Sequence, residues 1–317
     1  MNRTIKAIVA GICILILTNS IGVNHVKAAS YPDIQPVKNE KNIPMSIELE
    51  KIIRKQVGNE MDLLTDVQLN EINDFYYDGS DVLSISGLEK CRNLHNVMLL
   101  GPVESFAPVF ALPELNSFVS AKCDGELDFS LLANKNTLKK FFYRGSIEGV
   151  DISPFFSHKG LKRIELHGVD SDTFRKIMEN LPELEMFDIT STIDEDDQNQ
   201  ITSDDLAALD GMKIHVIKLS NCKKIKDLSA LKSVDGLNCI WLYNCGVEDI
   251  TPLAQIATLK DGIVDLRENP VQDFSALSGL GIYKLYVTES DAYTFEELQK
   301  MLPGTIIEMQ PSSMQNN

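Results

Sequence analysis

The residues best suited to acid–base chemistry near neutral pH are histidines, and after residue 28 the chain has four of them. His95, His158, His167 and His215 fall in different segments, and none has a matched serine, cysteine or carboxylate in a recognisable catalytic arrangement. A glycine-rich phosphate loop is also missing from the sequence. We therefore predict that the chain is not an enzyme and needs no cofactor.

Metal chemistry is poorly supported by the cysteines and by the acidic run. CxxC and Cys/His spacings suited to zinc are absent, and Asp194–Asp197 lacks the spaced ligands and the glycine turn of a calcium loop. Cys123, Cys222 and Cys245 recur at one position of a repeated pattern. We interpret them as free buried thiols, although about 5 Å between the Cα atoms of Cys222 and Cys245 would permit a disulfide. We predict no metal site.

Binding chemistry is better supported, because tryptophan, tyrosine and arginine dominate measured protein interfaces. Trp241 is the only tryptophan of the chain, and tyrosines and an arginine follow it at a regular spacing. The predicted partner-binding residues are Trp241, Tyr243, Arg267 and Tyr286, with Phe142, Arg144 and Tyr76 upstream.

A repeated element must position these side chains. The segments Ile217–Leu228, Ile240–Ile250 and Val264–Phe274 each read apolar–x–apolar and place a Cys or Asn three residues after the second apolar residue. This is the leucine-rich-repeat pattern, typical of stacked coils. One coil buries too little apolar surface to fold alone, so neighbouring coils must share a core and pair their strands.

Ten strands can be aligned on their second inward residue, at steps of 21 to 24 residues with one step of 30. These inward residues are Tyr77, Leu99, Ser120, Tyr143, Leu166, Ile189, Leu219, Leu242, Leu266 and Val287. The preceding residue of each strand should face the concave surface: Tyr76, Met98, Val119, Phe142, Glu165, Asp188, Lys218, Trp241, Asp265 and Tyr286. With strands about 4.8 Å apart, Trp241 and Tyr286 should lie about 10 Å apart with Asp265 between them.

The predicted fold is an α/β solenoid, a leucine-rich-repeat horseshoe with a curved parallel sheet on its concave face and a cap at each end. Helices are expected at Ser46–Val57, Thr65–Ile72, Thr173–Leu181, Thr202–Leu209 and Thr294–Leu302. The predicted segments are a signal peptide (1–28), a flexible leader (29–45), an N-terminal helical cap (46–76), leucine-rich repeats (77–288), a C-terminal cap (289–310) and a tail (311–317).

The charge of the chain limits its partners. Loss of the signal peptide removes Arg3, Lys6 and Lys27, which leaves 27 basic and 46 acidic residues and a net charge of −19. Such an acidic chain disfavours nucleic acid and anionic membranes as partners. The apolar run of the signal peptide is too short for a membrane span, and the mature chain contains no second run.

Glu50–Gly58, Leu64-Thr65, Ile85–Glu89 and Asn93-Leu94 resemble the N-terminal cap and first repeat of secreted bacterial leucine-rich-repeat proteins of the internalin type. With the later repeats, the resemblance covers roughly residues 46–302. It implies extracellular recognition of a protein by the concave sheet, often a host protein. The family's Leu-Pro-x-Thr-Gly wall-sorting motif is missing, so we expect a released protein.

Two functions remain open. The first is a secreted module that binds a protein partner through its concave face, a host or cell-surface protein in the family's manner. The alternative is a structural or carbohydrate-binding component of the cell envelope, loosely associated with the surface, in which the same aromatic side chains stack on sugar rings.

Overall fold

The computed structural model describes residues 45–58, 64–121, 125–133, 135–191 and 200–311. The predicted signal peptide, the leader up to residue 44, Cys123, the acidic run 194–197 and residues 312–317 lie outside the described residues. The chain divides into two compact units at Glu165 and Leu166. We call the described residues up to Glu165 the N-terminal unit and those from Leu166 the C-terminal unit.

Helices begin at the capping residues that the sequence indicates. Ser46 caps the first helix by accepting from the backbone N–H of Leu49, and Thr65 and Thr294 form capping boxes with Gln68 and Glu297. The α-helices are α1 (Ile47–Gln56), α2 (Asp66–Asn70), α3 (Ala107–Phe110), α4 (Ser171–Asn180) and α5 (Phe295–Met301). The 3₁₀ helices are Leu88–Lys90, Phe129–Leu132, Ser153–Ser157, Asp204–Leu209, Ser229–Ser233, Thr251–Gln255, Ala257–Leu259 and Ser275–Leu277.

The strands form a parallel sheet in which strand order follows chain order. They are β1 (Asp74–Tyr77), β2 (Asn96–Leu99), β3 (Ser117–Ser120), β4 (Lys140–Ser146), β5 (Arg163–Val169), β6 (Met186–Ser191), β7 (Val216–Ser220), β8 (Cys239–Tyr243), β9 (Ile263–Asp265), β10 (Lys284–Thr288) and β11 (Ile306–Gln310). The predicted fold class, a leucine-rich-repeat solenoid built on a parallel sheet, is confirmed.

The predicted strand alignment is confirmed within each unit. In the N-terminal unit Tyr77 pairs with Leu99, Leu99 with Ser120 and Ser120 with Tyr143. In the C-terminal unit Ile189, Leu219 and Leu242 occupy equivalent positions, and Trp241, Asp265 and Tyr286 lie side by side on β8, β9 and β10. Even Ser120, the least apolar of the inward residues, is buried.

The N-terminal unit is packed around phenylalanine rings. Phe141 lies 5.0 Å from Phe118 and 4.5 Å from Phe155, measured between ring centroids, and Phe106 and Phe110 continue the cluster. At the start of the unit, Gln56 of α1 donates to the backbone carbonyl of Asp74 in β1, and Ser46 donates to that of Ser84 in the segment after β1. The two helices lie where they were predicted, and their role as a cap stays a prediction.

In the C-terminal unit the predicted Cys or Asn occupies the turn after β7, β8 and β9. Asn269 accepts from the backbone N–H groups of Cys245 and Val247, 3.0 Å each, and its amide donates to the carbonyls of Leu242 and Arg267. At the same turn position Cys222 and Cys245 are free, buried thiols. The interpretation of these two cysteines as unpaired is therefore confirmed.

At two places the secondary structure differs in detail from the prediction. The helix within Thr202–Leu209 is a 3₁₀ helix, Asp204–Leu209, and Asp205 accepts from the backbone N–H and hydroxyl of Thr202 before it. The sheet also continues beyond β10, since Ile306–Gln310 pairs with β10 as a further strand where we expected only a cap.

Candidate aromatic–cation binding surface

The candidate site lies in the C-terminal unit, on the face of the sheet opposite the core. Alternation along β7, β8, β9 and β10 places Lys218, Trp241, Asp265 and Tyr286 in one row on this face. Their neighbours in the same strands, such as Leu219, Leu242, Leu285 and Val287, are buried on the other side. The repeat therefore brings side chains from distant parts of the sequence into one row.

Trp241 and Tyr286 are in contact. Their ring centroids are 5.5 Å apart with the ring planes inclined at 37°. The expected separation of about 10 Å is that of the two strands, and the rings close this gap by leaning together over Asp265. Asp265 lies on the predicted face of the sheet, but it is 0% exposed and therefore closed to direct contact with a partner. The indole N–H of Trp241 is buried and has no hydrogen-bond partner among the residues that the structure describes.

Arg267 is fixed in place by Asp265. The Asp265 carboxylate accepts from the backbone N–H of Arg267 at 3.0 Å, from its Nε at 2.9 Å and from its Nη2 at 2.5 Å. The hydrogen bond to Asp265 raises the pKa of Arg267, so the guanidinium stays charged. From this position the guanidinium lies 5.1 Å from the ring centroid of Tyr286 and 5.7 Å from that of Tyr243.

Two lysines complete the surface. Lys218 Nζ lies 4.9 Å from the ring centroid of Trp241 and 3.2 Å from Asp188, and Lys284 Nζ lies 4.5 Å from the ring centroid of Tyr286 and pairs with Glu308. Each cation thus has an aromatic ring on one side and a carboxylate on another, and such contacts are worth about 0.5–2 kcal/mol each. We call this set the aromatic–cation cluster: Lys218, Trp241, Tyr243, Asp265, Arg267, Lys284 and Tyr286.

The strand β11 contributes to the cluster. Gln310 Oε1 accepts from Arg267 Nη1 at 2.7 Å, and Glu308 pairs with Lys284. These two residues are missing from the predicted site because residues 289–310 were interpreted as a C-terminal cap. A signal was available, since Ile307 and Met309 follow Leu285 and Val287 at the same interval of 22 residues.

The predicted site residues of the N-terminal unit have other surroundings. Phe142 is only 4% exposed, with Lys140 Nζ 4.5 Å from its ring centroid, so its prediction as a solvent-facing contact is wrong. Alternation placed it on the correct face, but long neighbouring side chains cover it. Arg144 is exposed, and its Nε donates to the buried Glu165 at 2.6 Å.

Tyr76, on β1, is half-buried and its hydroxyl donates to Asp78 at 3.0 Å. Burial raises the pKa of Tyr76, and the hydrogen bond to Asp78 and its negative charge raise it further. Tyr76, Phe142 and Arg144 are separate positions within the N-terminal unit, whereas Trp241, Tyr243, Arg267 and Tyr286 are one connected cluster in the C-terminal unit.

Neither a metal site nor a membrane-spanning helix is found in the part of the chain that the structure describes. There, no three His, Cys, Asp or Glu side chains are grouped so that they could hold a metal ion. Across the same residues, no helix has the length and apolar character of a membrane span. The predictions that the chain lacks enzymatic activity and a cofactor stay predictions.

The fold and the cluster together define a leucine-rich-repeat protein with an aromatic surface on its sheet. No family model matches the sequence, and no curated protein matches it. The crystal structure of the internalin InlF from Listeria monocytogenes is similar, with a TM-score of 0.57 at 20% identity over 85% of this chain and 75% of that one. The chain therefore has an internalin-like leucine-rich-repeat fold, as the sequence resemblance predicted.

Two more solved structures from Listeria monocytogenes are similar. Internalin C2 has a TM-score of 0.46 at 17% identity, over 76% of this chain and 92% of that one. The functional domain of InlJ has a TM-score of 0.47 at 15% identity, over 83% of this chain and 58% of that one.

Proposed function

We propose that this chain is a secreted leucine-rich-repeat protein that binds a protein partner through the aromatic–cation cluster. The observation that carries the proposal is the contact of Trp241 with Tyr286 above the buried Asp265–Arg267 pair. Tryptophan, tyrosine and arginine are the residue types that most often dominate binding energy, and here they meet in one place.

The cluster is also held in one arrangement before a partner arrives. Asp265 and Gln310 hold Arg267, while Asp188 and Glu308 hold the two lysines. Side chains that are already ordered lose less conformational entropy on binding, which costs roughly 0.5–1.5 kcal/mol for each side chain immobilised. This preorganisation favours a binding role over a chance collection of exposed aromatic residues.

Secretion rests on residues 1–28, with Arg3 and Lys6 before an apolar run and Val26-Lys27-Ala28 before the expected cleavage position. Expression of the full chain in a bacterial host tests it. We expect the product in the culture medium to begin at Ala29 by N-terminal sequencing. A product that stays in the cell with Met1 retained would contradict secretion.

Partner binding is tested by affinity capture from extracellular host proteins, from proteins of neighbouring bacteria and from isolated cell wall. The bait is the purified chain, compared with Trp241→Ala/Tyr286→Ala. Phe295→Ala is the matched control, because Phe295 is an exposed aromatic residue on α5, outside the cluster.

We expect one protein to be retained by wild type and by Phe295→Ala and lost from the double variant, whose melting temperature should fall by only a few degrees. A partner retained equally by all three baits would move the site away from the cluster. Retention of wall material alone would favour the envelope component.

A further inference from the structure

We propose that the aromatic–cation cluster recognises an acidic protein segment, whose carboxylates accept hydrogen bonds from the cations of the cluster. This inference rests on the proposed function and adds the chemistry of the partner to it. Three features of the cluster support it: the faces of its rings, its balance of donors and acceptors, and the way its lysines are paired.

The ring faces are already covered by cations of the chain itself. Lys218 lies over Trp241, and both Arg267 and Lys284 lie over Tyr286, with ammonium or guanidinium groups 4.5–5.1 Å from the ring centroids. The remaining ring, Tyr243, has Arg267 at 5.7 Å. A sugar ring would need an open aromatic face to stack on. In the cluster, cations of the chain cover the aromatic faces on which a sugar ring would stack. This arrangement disfavours carbohydrate binding.

The groups that the cluster offers a partner are mainly donors. Arg267, Lys218 and Lys284 carry only N–H donors at the ends of their side chains. The acceptor at the centre, Asp265, is 0% exposed and is engaged by three N–H groups of Arg267. A complementary partner must therefore supply acceptors, and ionised carboxylates are the strongest acceptors that a protein has.

The lysines are paired in a way that permits exchange. Glu308 is 44% exposed, so its carboxylate keeps contact with solvent while it pairs with Lys284. A carboxylate from a partner can take the place of Glu308 on Lys284 without leaving a charge buried. In contrast, Asp265 cannot be displaced from Arg267, and it keeps the guanidinium aimed across the rings of Tyr243 and Tyr286.

The balance of positive and negative charges in the cluster explains why an acidic segment would bind there rather than elsewhere on the protein. The cluster with its partners Asp188 and Glu308 contains three cations and three carboxylates, whereas the whole chain has a net charge of −16. An acidic segment is repelled by a surface with excess negative charge. The aromatic–cation cluster has no such excess of negative charge, and its N–H groups can donate hydrogen bonds to the carboxylates of the segment.

The test is a selection from a random peptide library displayed on phage, with the purified chain as bait. Parallel selections use Trp241→Ala/Tyr286→Ala, Lys284→Gln and the control Phe295→Ala. Lys284→Gln removes a donor while leaving only the solvent-exposed Glu308 unpaired, so it should fold normally. A selected peptide is then synthesised with its Asp and Glu residues and again with Asn and Gln in their place.

We expect enrichment of peptides that carry Asp or Glu beside an apolar residue, shared by wild type and Phe295→Ala and reduced by Lys284→Gln. The amide form of the peptide should bind roughly 10- to 100-fold more weakly, the range expected for loss of one charge-assisted hydrogen bond. As a sugar probe, chitotetraose should leave the fluorescence of Trp241 unchanged.

Enriched peptides without acidic residues, equal binding of the amide form, a fluorescence response to chitotetraose, or no enrichment at all would each overturn the inference. If acidic peptides bind wild type and Trp241→Ala/Tyr286→Ala equally well, the proposed binding surface itself fails. If peptides depend on Trp241 and Tyr286 but need no carboxylate, the proposed surface stands and only the chemistry of its partner is wrong.

Discussion

Asp265 lies beneath Arg267 as a fully buried carboxylate that accepts three N–H groups from the same residue. The arginine is the more exposed member, with 21% of its side chain accessible. Because of this difference in exposure, removing Arg267 and removing the charge of Asp265 should have different effects on stability. Loss of Arg267 leaves a buried carboxylate without its cation, while loss of the Asp265 charge leaves a guanidinium that can turn toward solvent.

We therefore expect Arg267→Ala to destabilise the protein by about 3–5 kcal/mol and Asp265→Asn by about 1–3 kcal/mol. Urea unfolding of both variants and of Asp265→Asn/Arg267→Ala measures these free energies. The double variant should be more stable than the sum of the single effects predicts by at least about 1 kcal/mol. Additivity within about 0.5 kcal/mol would show that the pair is not coupled.

A second prediction concerns the buried His158 of the N-terminal unit. Burial lowers the pKa of His158 below its usual value, and the nearby Lys135 ammonium lowers it further. The unfolded chain therefore binds a proton that the folded chain does not, between the folded pKa and an unfolded pKa of about 6.5. The stability that the neutral, buried His158 contributes is complete above the unfolded pKa. It is lost as the pH falls below that value, by up to about 1.4 kcal/mol for each pH unit.

Urea unfolding at several pH values between 7 and 5 measures this slope. His158→Gln should lose the histidine's share of this slope, so that its stability falls less steeply with decreasing pH than that of wild type. If His158→Gln and wild type lose stability in parallel across this range, His158 does not titrate as its burial requires.

The third prediction concerns the turns that follow β7, β8 and β9. Asn221, Asn244 and Glu268 all have a left-handed backbone, with φ of 57°, 54° and 57°. Asparagine tolerates this region well, whereas for glutamate it costs roughly 1 kcal/mol. Glu268→Asn should therefore raise the free energy of unfolding by about 0.5–1 kcal/mol.

Glu289→Asn is the matched control for that change, because it removes the same charge from an exposed position outside the left-handed region. Thermal and urea unfolding of the two variants are compared with wild type. An equal gain from both variants would attribute the effect to charge rather than to the backbone.

The fourth prediction concerns the thiols. Burial raises the pKa of Cys91 to about 12 and raises that of Cys222 well above its usual value. Because the thiolate is the reactive form, iodoacetamide at pH 8 should leave Cys91 and Cys222 unmodified in the folded protein, and burial alone should shield Cys239 and Cys245. Unfolding without reductant should make all four reactive. Two sites that stay unreactive in the unfolded protein until dithiothreitol is added would reveal a disulfide instead.

Much of the fold could be predicted because the repeat imposes a strict alternation. Tyr77, Leu99 and Ser120 were aligned correctly from spacing alone, and the residues before them were assigned to the correct face. Alternation fixes the side of the sheet on which a side chain lies. It contains no information on how far that side chain leans, so the contact of Trp241 with Tyr286 and the burial of Asp265 and Phe142 could not be predicted.

The cluster itself was only partly predicted for the same reason. Trp241, Tyr243, Arg267 and Tyr286 stood out by residue type, and the structure brings them together. Lys218 and Lys284 did not stand out, since lysines are common on surfaces, and their importance comes from distances to rings on neighbouring strands. Gln310 was missed because the last strand was not recognised.

The central claim is that Trp241 lies in the contact surface, and its uniqueness in the chain permits a direct measurement. Protein labelled with 5-fluorotryptophan has a single ¹⁹F resonance from residue 241. Addition of a saturating amount of the protein captured by affinity should shift this resonance and abolish its solvent isotope shift in D₂O, because the ring becomes covered. A resonance that keeps both its position and its isotope shift in the complex would contradict the account.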